Sequence, residues 1–175
     1  MKSAIIAKFA GALALAACAA GCGPFWVDPY ITVRQSHLNW VEIHYYNTNH
    51  DPIRRVAVLL TGSGHVELKK GTSELISNDF AKNNSSSEWA NIKTQRIVSD
   101  PKHINDIFQN LVNHGILDRE KNFKASKKKD IKRFIAVKAN VSNHTYSETV
   151  NIFEADPDLA EQLYDVIREF DNPTL

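Results

Sequence analysis

Between Tyr30 and Lys70 the apolar positions recur with a period of two, the spacing of β-strands. Ile31 and Val33 begin the alternation. Leu38, Trp40, Glu42, His44 and Tyr46 then interleave with Asn39, Val41, Ile43 and Tyr45, and both sets are largely apolar or aromatic. Asn47-Thr48-Asn49-His50-Asp51-Pro52 is a dense turn signal, after which Val56, Val58 and Leu60 share one strand face. Thr61-Gly62-Ser63-Gly64 turns the chain into Val66-Glu67-Leu68-Lys69, and Lys70-Gly71-Thr72-Ser73 ends the run. The pattern predicts three or four antiparallel strands joined by short loops.

Asn83-Asn84-Ser85-Ser86-Ser87 reads as an exposed loop, and Asn91 to Val98 as a further strand. The period then changes. Asp100-Pro101 opens a helix, with Asp as N-cap and Pro in the first helical position. Ile104, Ile107, Phe108, Leu111 and Val112 fall on one face, and Gly115 is the expected stop. Phe134 to Val141 and Thr145 to Phe153 predict two strands around Ser142-Asn143-His144. Asp156-Pro157 repeats the capping device ahead of a second stripe, Leu159, Leu163, Val166, Ile167 and Phe170, which Asn172-Pro173 ends. The predicted fold is α+β: an antiparallel sheet with two helices packed on one face, so that both stripes enter one core. Twice the chain runs from sheet into an Asp-Pro helix, which suggests a duplication.

The first eighteen residues follow neither pattern. Lys2 and Lys8 give a basic start, Phe9 to Ala17 form a short apolar core, and small residues close it. That is the layout of a secretory signal peptide, and the apolar run is too short to span a bilayer. Leu15-Ala16-Ala17-Cys18 resembles the lipobox of bacterial lipoproteins, in which cleavage leaves the cysteine as a lipid-bearing N-terminus. The resemblance implies lipidation at Cys18, with Ala19-Ala20-Gly21-Cys22 as second choice. It also implies a partner, the membrane, through the N-terminal lipid. The organisation expected is a signal peptide over 1–17, a lipidated tether over 18–29 and one α+β domain over 30–175. Phe25 and Trp26 in the tether are expected to pack on that domain or, as second choice, to touch the membrane interface. Ala19, rather than Asp, after the cysteine looks like the outer-membrane, periplasm-facing case if the source cell has two membranes; otherwise the cell membrane is implied.

Composition narrows the chemistry. The chain has two cysteines, Cys18 and Cys22, so the body of the domain has neither a disulfide nor a thiol nucleophile. From Cys18 onward nineteen Lys and Arg face twenty acids, which gives no global charge for nucleic acid. Gly62-Ser63-Gly64 lacks the spacing of a nucleophile elbow. The seven histidines (His37, His44, His50, His65, His103, His114 and His144) contain no metal-ligand spacing, although His44 shares a strand face with Glu42 and could pair with it. Asp156, Asp158 and Glu161 are explained by the helix dipole. No enzymatic activity, cofactor or metal is expected. The uneven feature is charge. Arg119 to Arg133 carries eight cations against two acids, and Glu154 to Leu175 seven acids against one cation. Lys121, Lys124, Lys127, Lys128, Lys129, Lys132 and Arg133 are the candidate surface contact, to anionic headgroups or to an envelope protein or polymer. A solvated loop facing the acidic last helix is the plainer reading.

In element order, Val56 to Lys69, Asp100 to Gly115, Phe134 to Phe153 and Asp156 to Phe170 resemble the emfourin-like domains, a family of metalloprotease inhibitors. The likeness is one of order alone and carries over no inhibitory residue. Two functions are therefore expected: a non-catalytic, lipid-anchored envelope protein with a binding or structural role, or an inhibitor of a secreted metalloprotease.

Overall fold

The computed structural model describes residues 31–74, 89–117, 133–148 and 152–171. The expected signal segment, the tether, the 83–87 loop and the basic run from 121 to 132 lie outside the described residues. Among the described residues six strands form one antiparallel sheet: β1 (Trp40–Asn47), β2 (Ile53–Thr61), β3 (His65–Ser73), β4 (Ala90–Val98), β5 (Arg133–Val141) and β6 (His144–Glu148). Their order across the sheet is β4-β3-β2-β1-β5-β6, so β1 lies inside it, between β2 and β5. Helices α1 (Pro101–Asn113) and α3 (Pro157–Asp171) cover one face, and α2 (Ile152–Ala155) is a single turn ahead of α3. The chain has the α+β fold that the alternation predicts.

Register explains the core. Val41 sits opposite Leu60 and Ala139, Ile43 opposite Val58 and Val137, and Tyr45 opposite Val56 and Ile135. These nine residues share one face and are all buried. Onto them α1 lays Ile104, Ile107, Phe108, Leu111 and Val112, and α3 lays Leu159, Ala160, Leu163, Val166 and Ile167. Each large aliphatic side chain so buried contributes roughly 1.5–3 kcal/mol.

Both helices start as their sequences dictate. Asp100 Oδ1 accepts from the Lys102 amide at 2.9 Å, and Asp156 Oδ1 accepts from the Leu159 amide at 3.2 Å. Past the end of α1, the Ile116 amide donates to the Leu111 carbonyl and the Gly115 amide to that of Val112, a Schellman closure that seats Ile116 in the core. Between β5 and β6, Ser142 and Asn143 both take positive φ (52° and 65°), the two-residue turn that matches strand twist.

Two segments depart from the alternation. Ile31 and Val33 join no sheet. Gln109 of α1 accepts from the Val33 amide at 2.8 Å and donates to the Ile31 carbonyl at 3.1 Å, so a side chain replaces the neighbouring strand. The last strand stops at Glu148 rather than reaching Phe153. Ile152, fully buried, starts the helical turn instead, and the Asp156 amide closes it on the Ile152 carbonyl at 2.8 Å. Among the described residues no helix is long and apolar enough to cross a membrane.

The β2–β3 turn is held against the segment that leads into β1. The Gly62 amide donates to the Asn39 carbonyl at 2.8 Å, and a Cβ on Gly62 would fall 1.9 Å from the Ser36 carbonyl oxygen. Gly62→Ala is therefore expected to lower stability by on the order of 2–3 kcal/mol, whereas exposed Ser63→Ala should cost less than about 0.5 kcal/mol. Urea unfolding of the two variants checks this, and equal midpoints would contradict it.

Candidate functional site

The face of the sheet turned away from the helices carries a different set of side chains. On β1 they are Glu42, His44 and Tyr46, with Arg55 and Ala57 on β2 and Phe134 and Ala136 on β5. Tyr46 lies between Arg55 and Phe134, and its ring meets Phe134 edge to face at 5.8 Å. His44 lies between two alanines, Ala57 and Ala136, so no large neighbour in its row competes for space.

Arg55 is fully buried. A guanidinium out of water is costly unless its charge is met and its hydrogens are bonded. Here its Cζ stands 3.8 Å from the centre of the Trp89 ring and 5.0 Å from that of Tyr46, so aromatic faces contact the cation. Gly71, opposite Arg55 on β3, allows this approach, because a Cβ there would stand 2.7 Å from the Ala90 carbonyl and 3.4 Å from Trp89 Cε3. Arg55 Nη2 donates to His44 Nδ1 at 3.1 Å, and His44 Nε2 lies 2.9 Å from Glu42 Oε1.

The donors fix the protonation of His44. A guanidinium can only donate, so Nδ1 must present its lone pair, and the single ring hydrogen is on Nε2, donated to Glu42. The contact with Glu42 is thus a hydrogen bond from a neutral imidazole to a carboxylate, not an ion pair. Burial, the largest influence, also lowers the His44 pKa from its ordinary 6.5, with Arg55 and Lys69 acting the same way against the opposing pull of Glu42. Glu42, part-exposed, carries the chain of contacts toward the surface. With both nitrogens engaged, the imidazole offers a bound molecule neither a base nor an acid.

Beside this cluster Glu67 accepts from Lys69 at 2.8 Å and from Arg96 at 3.5 Å. Lys69, then Arg96, hold its carboxyl below the usual range. Glu67, Lys69, Thr94 and Arg96 line a shallow, open depression across β3 and β4.

Cys18, Cys22 and the lysines at 121, 124, 127, 128, 129 and 132 lie outside the described residues. Arg133 is described, and it is engaged within the fold. Its Cζ stands 4.2 Å from the Phe153 ring centre and 5.6 Å from that of Tyr164, and its Nη2 donates to Glu161 at 3.4 Å. Three more acids of α3 are paired: Glu169 bonds His103 at 2.5 Å, Asp171 meets Arg54 and Lys70, and Asp165 meets Arg168. Exposed Ser63 bonds Thr61 Oγ1 at 2.9 Å within its turn. Among the described residues no three His, Cys, Asp or Glu side chains converge as a metal site requires. Sequence reasoning finds Glu42 and His44 but misses Arg55 and Trp89. The signal for Arg55 is a cation on the same strand face as Ala57 and Leu59; Trp89, at the end of a polar stretch, gives none. No known family model matches the chain, and no curated protein is similar to it.

His44 makes stability depend on pH. Above its unfolded pKa of about 6.5 neither state takes the proton and the cluster contributes in full. As pH falls through that value the unfolded chain gains the proton first, so stability declines toward the lower folded pKa. Between pH 7.5 and 5.5 the native protein should lose about 1 kcal/mol more than His44→Gln, whose amide can accept from Arg55 and donate to Glu42. Denaturant unfolding at both pH values checks this; parallel losses would remove His44 as the source.

Proposed function

We propose that this chain is a non-catalytic lipoprotein of a bacterial cell envelope, anchored through lipid on Cys18 and presenting an α+β binding module. The anchor reading is carried by Leu15-Ala16-Ala17-Cys18 at the end of a basic-then-apolar leader. Two acyl chains on one cysteine would hold it stably, since each buried methylene contributes about 0.8 kcal/mol. For the module, the Glu42–His44–Arg55 cluster favours binding over catalysis, because the polar groups gathered on the face of the sheet away from the helices bond to one another. With Ala19 after the cysteine, the location favoured in a cell with two membranes is the periplasmic face of the outer membrane.

A second reading, inhibition of a secreted metalloprotease, draws on the order strand, strand, helix, hairpin, helix, to which the fold adds β4 ahead of α1 and the single turn α2 ahead of α3. It calls for a one-to-one loss of protease activity on adding the protein, and no loss across a panel of such proteases would dismiss it.

For the anchor, Cys18→Ser is expected to keep its leader, shift on gel electrophoresis and take up no labelled palmitate, while Cys22→Ser labels like the native chain. Persistent label that maps to Cys22 would move the site, and absence of label from the native chain would end the lipoprotein reading.

A further inference from the structure

The geometry points to β4 as the docking edge for an extended, acidic polypeptide segment, which would add to the sheet beside it as a further strand. Among the described residues β4 ends the sheet, so alternate backbone amides and carbonyls along its outer side face away from β3. It is also nearly outside the core. Eight of its nine residues are exposed, and Ile97 alone packs against the apolar cluster. Two of the three large hydrophobic residues exposed among the described residues, Ile92 and Val98 (78% exposed), belong to it. Its regular part, from Lys93 to Val98, does little for the core and leaves a backbone template about 20 Å long, while Asn91 at positive φ (57°) breaks the register before it.

Charge selects the occupant. From Lys93 to Val98 the pairing with β3 is regular, so side chains alternate between faces. Lys93 therefore lies on the helix side, whereas Arg96 lies on the open side with Lys69 and Glu67. Glu67 already serves both Lys69 and Arg96, which leaves the edge cationic on both faces. A second copy pairing through its own β4 would bring two more cations into the same seam, and this opposes self-association. A strand whose acids stand three residues apart would instead place one beside Lys93 and one beside Arg96. An acidic polysaccharide or lipid surface could meet the cations, but neither supplies the period-two backbone hydrogen bonds that the edge is shaped to give.

The proposal rests on reading the globular part as a binding module and not on the anchor. The test uses the full-length protein in detergent micelles, panned against a random library of nine-residue peptides. Enriched peptides should carry Asp or Glu at positions three apart and slow amide hydrogen exchange over 93–98 by about tenfold. Lys93→Glu with Arg96→Glu, both exposed, should leave the fold intact and weaken such peptides by about tenfold. Methylating alternate peptide amides should abolish binding. The proposal is overturned if the double variant or the methylated peptides bind as well as the parents, or if oligogalacturonate or phosphatidylglycerol vesicles protect 93–98 equally. Peptides that protect another surface would refute β4 and spare the binding module. No enrichment at all would refute both, and the Cys18 labelling result would stand in every case.

Discussion

The antiparallel pairing of β1 with β5 joins the first part of the sheet to the last, and the other features of the fold depend on it. β2 and β3 follow β1 as a meander, but β5 returns from beyond α1 to take the opposite side of β1. Placed there, β1 is bonded on both edges and covered on both faces. Val41, Ile43 and Tyr45 meet the helices, while His44 and Tyr46 are buried on the other side. This is why both alternating sets of β1 are, Glu42 apart, apolar or aromatic, and why an amphipathic reading of the strand would be mistaken.

That double burial brings a charge inside. Once Tyr46 and Phe134 pack on the face away from the helices, Arg55 lies in their row and leaves water with them. Nature could have placed a leucine there, often at no loss in stability. A guanidinium instead needs aromatic faces and a directed acceptor, and these demands fix the positions of Trp89 and the imidazole. A buried polar network of this kind specifies one arrangement of the β1–β2–β3 surface where apolar packing would tolerate several.

What was legible in the sequence was mostly local. Asp100-Pro101 and Asp156-Pro157 announce helix starts because a cap bonds an amide two or three residues away. The apolar stripes of α1 and α3 show for the same reason. Ile31 and Val33 misled because alternation records which side chains are buried, not what bonds the backbone, and Gln109 lies far along the chain from them. Phe153 likewise continues an alternation that the chain has already left. The Glu42–His44 pair was visible because two residues on one strand share a face. Arg55 and Trp89 enter the cluster only through strand register and the close approach over Gly71, and neither is written in any short window of sequence.

The β1–β5 pairing also governs the order in which the chain can fold. Trp40 pairs with Asn140, and Tyr46 with Phe134, so roughly ninety to a hundred residues separate the partners. The β1–β4 meander can form early from neighbouring segments, but one edge of β1 and the part of the apolar face that α3 covers stay open until β5 and α3 arrive. Folding is thus expected to be slow and late, with closure of that long loop setting the barrier. Until then the half-built sheet exposes adhesive surface, so synthesis arrested ahead of β5 would yield an aggregating fragment rather than a smaller working protein.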